Sequence, residues 1–159
     1  MVQQLVAEYG SGYDQVKNAI GGLTKEELQF KPAPDKWSIH EIIIHLADAE
    51  IVGVHRMKRV LAEENPTLTA YNQDAWADAL QYSLEDAARS LELFGLLRQT
   101  MLPALLRAEE ADWQRCGIHE EAGPLTLAQL LERYVNHVRG HLAQIDRVLA
   151  AYREKQAQQ

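Results

Sequence analysis

The sequence predicts an all-α protein, a four-helix bundle with up-down-down-up topology. Four long segments carry helix start or stop signals, and strand signals are confined to the stretch from Trp113 to Leu125, which predicts a loop or a small hairpin. One connection between the helices is also long enough to cross the length of a bundle. The 159 residues fit one domain, so we expect residues 1–159 to form a single bundle.

The first two long helices have clear predicted boundaries. The first is expected over about Val2–Ile20, because a Gly-Gly pair at residues 21–22 follows it. A short capping-box segment and two prolines then forbid a continuous helix. The second helix is expected to begin at Ser38, where Glu41 completes a capping box, and to end at about Glu64, before an Asn-Pro pair.

The third and fourth long helices are predicted from similar signals. The third should begin near Ser83, with two acidic residues in its first turn, and Pro103 should kink it or end its regular part. The fourth is expected over about Thr126–Arg153, since Gln129 occupies the partner position of a capping box. The tail Lys155–Gln159 is expected to fray.

The connection between the second and third helices, roughly Asn65 to Tyr82, indicates their direction. It is longer than the roughly two to eight residues usual in a bundle, so it can cross the bundle and leave these helices parallel. The second and fourth helices are then antiparallel. In that arrangement His45 lies within about one turn, ~5 Å, of the level of His137 and His141, whereas a parallel arrangement would separate them by ~9 Å.

The composition excludes several classes of function. A net charge of −7 argues against binding to nucleic acid or to an anionic membrane surface. The single cysteine, Cys116, rules out an intramolecular disulfide and fits a reducing compartment. We see no signal peptide and no uncharged apolar stretch of about 18 residues. We therefore expect a soluble cytoplasmic protein that acts on a small molecule.

Three histidines have the spacing of a metal site. His137 and His141 lie four residues apart and therefore share one helix face, and His45 lies in an apolar run of the second helix. Two ligands from one helix and a third from a facing helix can hold a divalent metal and leave a coordination position open, as catalytic sites require. The alternative is that the three are core or surface histidines that bind no metal.

Two carboxylates flank His45 in the helix. Glu41 and Asp48 lie at positions i−4 and i+3, from which either could orient an imidazole or accept a proton from bound water as a catalytic residue. The capping box already explains Glu41, so Asp48 is the better candidate for this role. Near the other ligands, Tyr134 and Gln144 are expected to be bundle or rim residues.

The remaining candidate ligands have no comparable spacing. His40 and His55 are expected to face solvent, and His119 could approach the mouth of the site. Cys116 is expected to be a small, partly buried side chain, and as a fourth ligand it would close the site. The sequence has no HExxH motif, no pair of ExxH motifs, no glycine-rich phosphate loop and no GxSxG motif, which excludes several common enzyme designs.

Two segments together resemble the DinB/YfiT-like superfamily of metal-dependent bundle proteins. One is the WSIHEIIIHLADAE segment from Trp37, and the other is the GPLTLAQLLE segment from Gly123 leading into NHVRGHLAQI from Asn136. The resemblance covers nearly the whole chain. It implies an up-down-down-up four-helix bundle, frequent homodimers, and a metal site whose ligands here are His45, His137 and His141.

The resemblance also implies a range of activities, namely thiol-dependent transferases, isomerases and hydrolases. Our first hypothesis is an enzyme whose divalent metal, zinc or nickel with iron or manganese as alternatives, converts a low-molecular-weight thiol such as bacillithiol or glutathione into a nucleophile for small electrophiles. One alternative is a hydrolase in which the metal activates water. Another is a non-catalytic, metal-binding stress-response bundle.

Overall fold

The computed structural model describes residues 1–158, and four long helices dominate it. The long helices are α1 (Val2–Ile20), α3 (Ile39–Ala62), α5 (Ala87–Arg107) and α7 (Leu127–Ala157). Three short helices lie between them: α2 (Lys25–Gln29), α4 (Gln73–Ala79) and α6 (Glu110–Trp113). The other elements are a 3₁₀ turn (Tyr82–Leu84) and the strands β1 (Thr67–Leu68), β2 (Cys116–His119) and β3 (Gly123–Thr126).

Capping boxes begin the two helices that carry the three histidines. The Ser38 hydroxyl accepts a hydrogen bond from the Glu41 backbone N–H at 3.2 Å, and the Ser38 N–H donates to the Glu41 carboxylate at 2.8 Å. Thr126 and Gln129 make the same reciprocal pair at 3.1 and 2.9 Å. Each box satisfies N–H groups that a helix start leaves free, so both predicted starts are confirmed.

Packing of α3 against α7 shows that these two helices are antiparallel. His45 lies beside His137 and His141, and a position further along α3, Gly53, lies beside the earlier residue Tyr134. Residue numbers therefore rise in one helix as they fall in the other. This arrangement brings the three histidines to one level of the bundle.

The contacts of α5 give the direction of the other long helices. Its Arg98 bonds to Glu50, and its Met101 shares an apolar cluster with Met57, so α3 and α5 run parallel. Gly10 and Gly12 of α1 lie beside Leu102 and Arg98 respectively, so α1 and α5 are antiparallel. Together with the antiparallel α3 and α7, these contacts correspond to the order up-down-down-up.

The crossover between α3 and α5 contains more structure than the sequence predicted. It includes β1, which pairs in parallel with β2, while β2 pairs antiparallel with β3 as the predicted small hairpin. The predicted start of the third long helix near Ser83 is wrong. Tyr82–Leu84 forms a separate 3₁₀ turn, and the helix begins after Asp86, whose carboxylate accepts a hydrogen bond from the Arg89 N–H at 3.1 Å.

Two further helix predictions can be compared with the structure. Of the two outcomes predicted for Pro103, an end of the helix is excluded, because α5 continues to Arg107 with the neighbouring Met101 and Leu105 buried in the core. The last helix continues beyond the predicted Arg153 to Ala157, so Lys155 is helical rather than frayed. Gln159 lies outside the described residues.

A buried ion pair connects all four long helices. Arg98 on α5 and Glu50 on α3 are 2% and 1% exposed, and Arg98 Nε donates to the Glu50 carboxylate at 3.0 Å. The same guanidinium donates to the backbone carbonyls of Tyr9 on α1 (3.0 Å) and Tyr134 on α7 (2.9 Å). The Tyr9 hydroxyl donates to the other Glu50 oxygen. Burial raises the pKa of Glu50, and Arg98 opposes that rise.

The first prediction concerns this ion pair. Replacing Arg98 by Met should lower the free energy of unfolding by about 3–5 kcal/mol, because it leaves the buried Glu50 carboxylate without its ionic partner, with only the Tyr9 hydroxyl bound to it. Combining Arg98→Met with Glu50→Gln should recover part of the loss. Urea unfolding measures both effects. The control is Arg89→Met, which removes an exposed pair with Asp86 and should change the free energy of unfolding little. If Arg98→Met lowered the free energy of unfolding no more than this control, the role of Arg98 would be contradicted.

Candidate metal centre

Three histidine rings converge between α3 and α7. His45 is fully buried, and His137 and His141, one turn apart on α7, are half-buried. The Nε2 atom of His137 lies 2.9 Å from Nε2 of His45 and 3.0 Å from Nε2 of His141. One ligand nitrogen from each ring lies within 4.8 Å of the other two. Ligands about 2.1 Å from a tetrahedral zinc lie roughly 3.4 Å apart, so this spacing fits a metal site.

Gln144 fixes the protonation of one ring. Its side-chain oxygen lies 2.8 Å from Nδ1 of His141, and an amide oxygen only accepts hydrogen bonds. The proton of neutral His141 is therefore on Nδ1, and its Nε2 lone pair faces His137. Such a partner behind a ligand orients the imidazole and makes it a better donor to a metal. Gln144 was expected to be a bundle or rim residue, and its position three residues after His141 was the signal for this contact.

The three nitrogen atoms cannot all satisfy one another by hydrogen bonding. A ring nitrogen carries either one proton or one lone pair, so Nε2 of His137 cannot form a full hydrogen bond with both of its neighbours. A divalent cation accepts lone pairs from all three rings and removes this conflict. The residues present therefore fit a bound metal ion.

Burial keeps the three imidazoles neutral. It lowers the pKa of His45 to about 3 and that of His137 to about 2, with His141 adding to both decreases. Burial also lowers the pKa of His141, although the hydrogen bond to Gln144 opposes this decrease. All three rings therefore offer lone pairs at neutral pH, as metal ligands must.

The two carboxylates predicted to assist the site have other partners in the structure. Asp48 accepts a hydrogen bond from the Tyr82 hydroxyl at 2.6 Å. Glu41 accepts hydrogen bonds from Ser38 in the capping box and from Lys31 Nζ at 3.1 Å. Neither carboxylate bonds to a site histidine within residues 1–158, and their catalytic roles stay predictions.

The other candidate ligands lie outside the histidine group. Cys116 is on β2, with its sulfur 3.7 Å from the Gln114 carbonyl, and across residues 1–158 no Cys, Asp or Glu joins the three histidines. His55 is exposed, as predicted. The prediction that His40 faces solvent is wrong, because its side chain is half-buried and its Nε2 atom is buried. His40 lies in the first turn of α3, against which α2 packs.

A cavity of about 200 Å³ lies next to the histidines. His137 lines it, and so does His119, for which the sequence left open an approach to the mouth of the site. Arg56, Arg133 and Tyr134 contribute to the same wall. A small molecule in this cavity would therefore lie against one of the three histidines.

Comparison with known proteins identifies the family. A sequence model of the DinB superfamily matches residues 9–145. The chain belongs to the DinB superfamily. This confirms the resemblance that the two sequence segments indicated.

Similar DinB proteins carry a functional name. A relative from Oceanobacillus iheyensis is 29% identical over 82% of this chain and 75% of its own length, and it is named a "putative metal-dependent hydrolase". A relative from Bacillus mycoides with the same name is 27% identical over 83% of this chain and 76% of its own length.

Two solved structures share the fold. YfiT from Bacillus subtilis, described as a probable metal-dependent hydrolase with an unusual four-helix bundle topology, matches with a TM-score of 0.86 at 24% identity over 92% of this chain and 85% of YfiT. A mycothiol-dependent maleylpyruvate isomerase matches with a TM-score of 0.71 at 13% identity over 91% of this chain and 60% of the isomerase. These matches confirm the predicted four-helix-bundle fold.

The second prediction concerns pH and the metal-free protein. Histidines of the unfolded chain bind protons below about pH 6.5, whereas the buried site histidines do not. The free energy of unfolding should therefore decrease as the pH is lowered below about 6.5. Each site histidine should add up to about 1.4 kcal/mol per pH unit to this slope. Urea unfolding of chelator-treated protein at about pH 7, 6 and 5 measures the slope.

Matched variants assign that slope to the site. His137→Asn should have a smaller slope than the wild type, because one buried imidazole is gone. His55→Asn, at an exposed position on α3, is the control and should keep the wild-type slope. Equal slopes in His137→Asn and the wild type would contradict the prediction.

Proposed function

We propose that this DinB protein is a metal-dependent enzyme that acts on a small molecule, with one divalent ion bound by His45, His137 and His141. The observation that carries the proposal is the convergence of three neutral imidazoles beside a cavity, with no fourth protein ligand among residues 1–158. Three protein ligands and an open position are typical of catalytic rather than structural zinc sites.

Hydrolysis is the reaction that the relatives support. The similar proteins that cover about four-fifths of this chain are named as metal-dependent hydrolases, which favours hydrolysis over the thiol-dependent transfer that we put first from the sequence. Thiol-dependent transfer remains the second candidate. The observation that favours it is the shared fold of the mycothiol-dependent isomerase.

The chain's own residues would prepare the site for either reaction. Gln144 holds His141 with its Nε2 lone pair directed inward, and full burial of His45 keeps its ring neutral and fixed. A bound divalent metal supplies Lewis acidity, which lowers the pKa of a coordinated water or thiol. The cavity wall at His137 would position the substrate next to the bound metal.

The ligand set limits the identity of the metal. Three imidazoles suit zinc, nickel, copper or iron, whereas magnesium and calcium prefer oxygen ligands. We propose zinc or nickel as the resident ion. Of the two alternatives left by the sequence, iron fits the three imidazoles better than manganese, which prefers oxygen ligands.

The third prediction concerns metal content. Protein purified without a histidine tag should contain about one equivalent of metal per chain, and His45→Ala and His141→Ala should lose most of it. Elemental analysis measures the content, and circular dichroism checks that each variant is folded. His55→Ala is the matched control and should retain the metal. A wild-type protein that binds none after incubation with excess zinc and nickel would overturn the proposal.

The fourth prediction separates the reactions. Zinc-loaded and nickel-loaded protein is assayed with panels of esters, amides and electrophiles as substrates. Each panel is tested in three arms, which contain glutathione, bacillithiol or no thiol. Product formed without a thiol, and abolished by a chelator, would support hydrolysis. Product formed only with a thiol would support the transferase instead. A metal-loaded protein that is inactive in every arm would indicate the non-catalytic metal-binding bundle and overturn both enzyme proposals.

A further inference from the structure

The cavity beside His137 has a cationic wall in an acidic protein. The chain has a net charge of −7, yet the charged residues that line this cavity are Arg56 and Arg133, and no carboxylate lines it among the described residues. Neither arginine forms an ion pair within residues 1–158, whereas Arg59, Arg98 and Arg139 each have a carboxylate partner. The wall therefore carries two positive charges that have no ion-pair partner within residues 1–158.

Arg56 is held in place and keeps donors free. One terminal nitrogen donates to the Tyr134 hydroxyl at 3.3 Å, and the other donates to the Thr69 carbonyl. These bonds fix the plane of the guanidinium but use only two of its five N–H groups. The Tyr134 oxygen accepts from Arg56, so the proton of that hydroxyl points elsewhere.

Arg133 approaches the cavity from α7. It lies four residues before His137 and so shares the helix face that carries His137 and His141. Its side chain is exposed and makes no side-chain hydrogen bond in the part of the chain that the structure describes. Its guanidinium is therefore available to a ligand in the cavity that it lines together with the more buried Arg56.

His119 contributes a third donor, and its hydrogen bonds indicate which ring nitrogen carries the proton. Its Nδ1 accepts hydrogen bonds from the backbone N–H groups of Glu121 and Ala122, both at 3.2 Å. Nδ1 therefore carries a lone pair, and the proton of the neutral ring is on Nε2. Burial lowers the pKa of His119, and the charges of Arg56 and Arg133 add to this decrease while those of Glu121 and Glu120 oppose it, so the neutral form is favoured.

We infer that this cavity binds the carboxylate group of a small molecule, between Arg56 and Arg133 and with the Nε2–H of His119 as a further donor. Guanidinium groups match a planar carboxylate in a two-bond fork. The volume of about 200 Å³ equals that of roughly six or seven water molecules at about 30 Å³ each, which suits a short dicarboxylate such as glutarate.

This inference rests on the proposed function only in placing the ligand next to the metal. The carboxylate could belong to the hydrolysed substrate or to a low-molecular-weight thiol, since glutathione carries carboxylates. The shared chemistry is the carboxylate, and kinetic arms can distinguish the two sources.

The binding test uses metal-free protein, so that the metal cannot bind the probe. Chelator-treated, ¹⁵N-labelled protein is titrated with glutarate while NMR follows the His119 ring and arginine side-chain signals. We expect saturable shifts with glutarate and none with its dimethyl ester. Arg133→Gln should weaken binding about tenfold or more, because it removes a charge-assisted hydrogen-bond donor. Arg147→Gln, an exposed position on the same helix with the same change of charge, should not weaken it.

Four results would overturn the inference. They are no saturable shift with glutarate up to tens of millimolar, equal binding of the dimethyl ester, tighter binding of inorganic phosphate at the same signals, and an equal loss in Arg147→Gln. Glutarate binding by a protein that takes up no metal would overturn the proposed function alone. Metal uptake without glutarate binding would overturn this inference alone.

The kinetic arms use metal-loaded protein and compare KM values in the wild type and Arg133→Gln. If the carboxylate belongs to the substrate, KM should rise for a carboxylate-bearing ester and not for its neutral analogue. If it belongs to the thiol, KM should rise for glutathione and not for cysteamine, which has no carboxylate. A rise for neither pair would contradict a role of the cavity in turnover.

Discussion

The buried pair of Glu50 and Arg98 is the interaction on which the rest of the bundle depends. Its net contribution to stability is small compared with an apolar core of equal volume, because both charges lose their hydration. A slip of any long helix would nevertheless leave one of these charges without partners, which is far less favourable. Since Arg98 also binds the carbonyl of Tyr134, one turn before His137, the pair fixes the register that brings His45 to the level of the other two histidines.

Tyr134 connects this core network to the cavity. Its carbonyl accepts from Arg98, and its hydroxyl accepts from Arg56 at the cavity wall. Its ring packs so closely on α3 that a Cβ atom at Gly53 would lie 2.4 Å from it, so that position requires glycine. The register set by the ion pair therefore also positions the cationic wall, and the histidine site and the cavity are parts of one packed unit.

The features that the sequence predicted correctly depend on residues close together in the chain. Capping boxes join residues three apart, so the starts of α3 and α7 could be predicted, and the level of His45 followed from those starts together with the long crossover. The Glu50–Arg98 pair spans 48 residues and has no local pattern. The pairing of β1 with β2 and the cavity around His119 likewise arise only when distant segments meet. Asp86 rather than Ser83 begins α5 because the crossover folds Tyr82–Leu84 into a separate turn.

The charge of the site connects the proposed metal with the proposed ligand. Three neutral imidazoles add no negative charge to a divalent ion, and within residues 1–158 no carboxylate joins them. Arg56 and Arg133 add further positive charge beside His137. A positive electrostatic potential favours the deprotonated form of a bound water or thiol, and it also attracts anions. The same charges would therefore both activate the water or thiol and favour binding of a carboxylate.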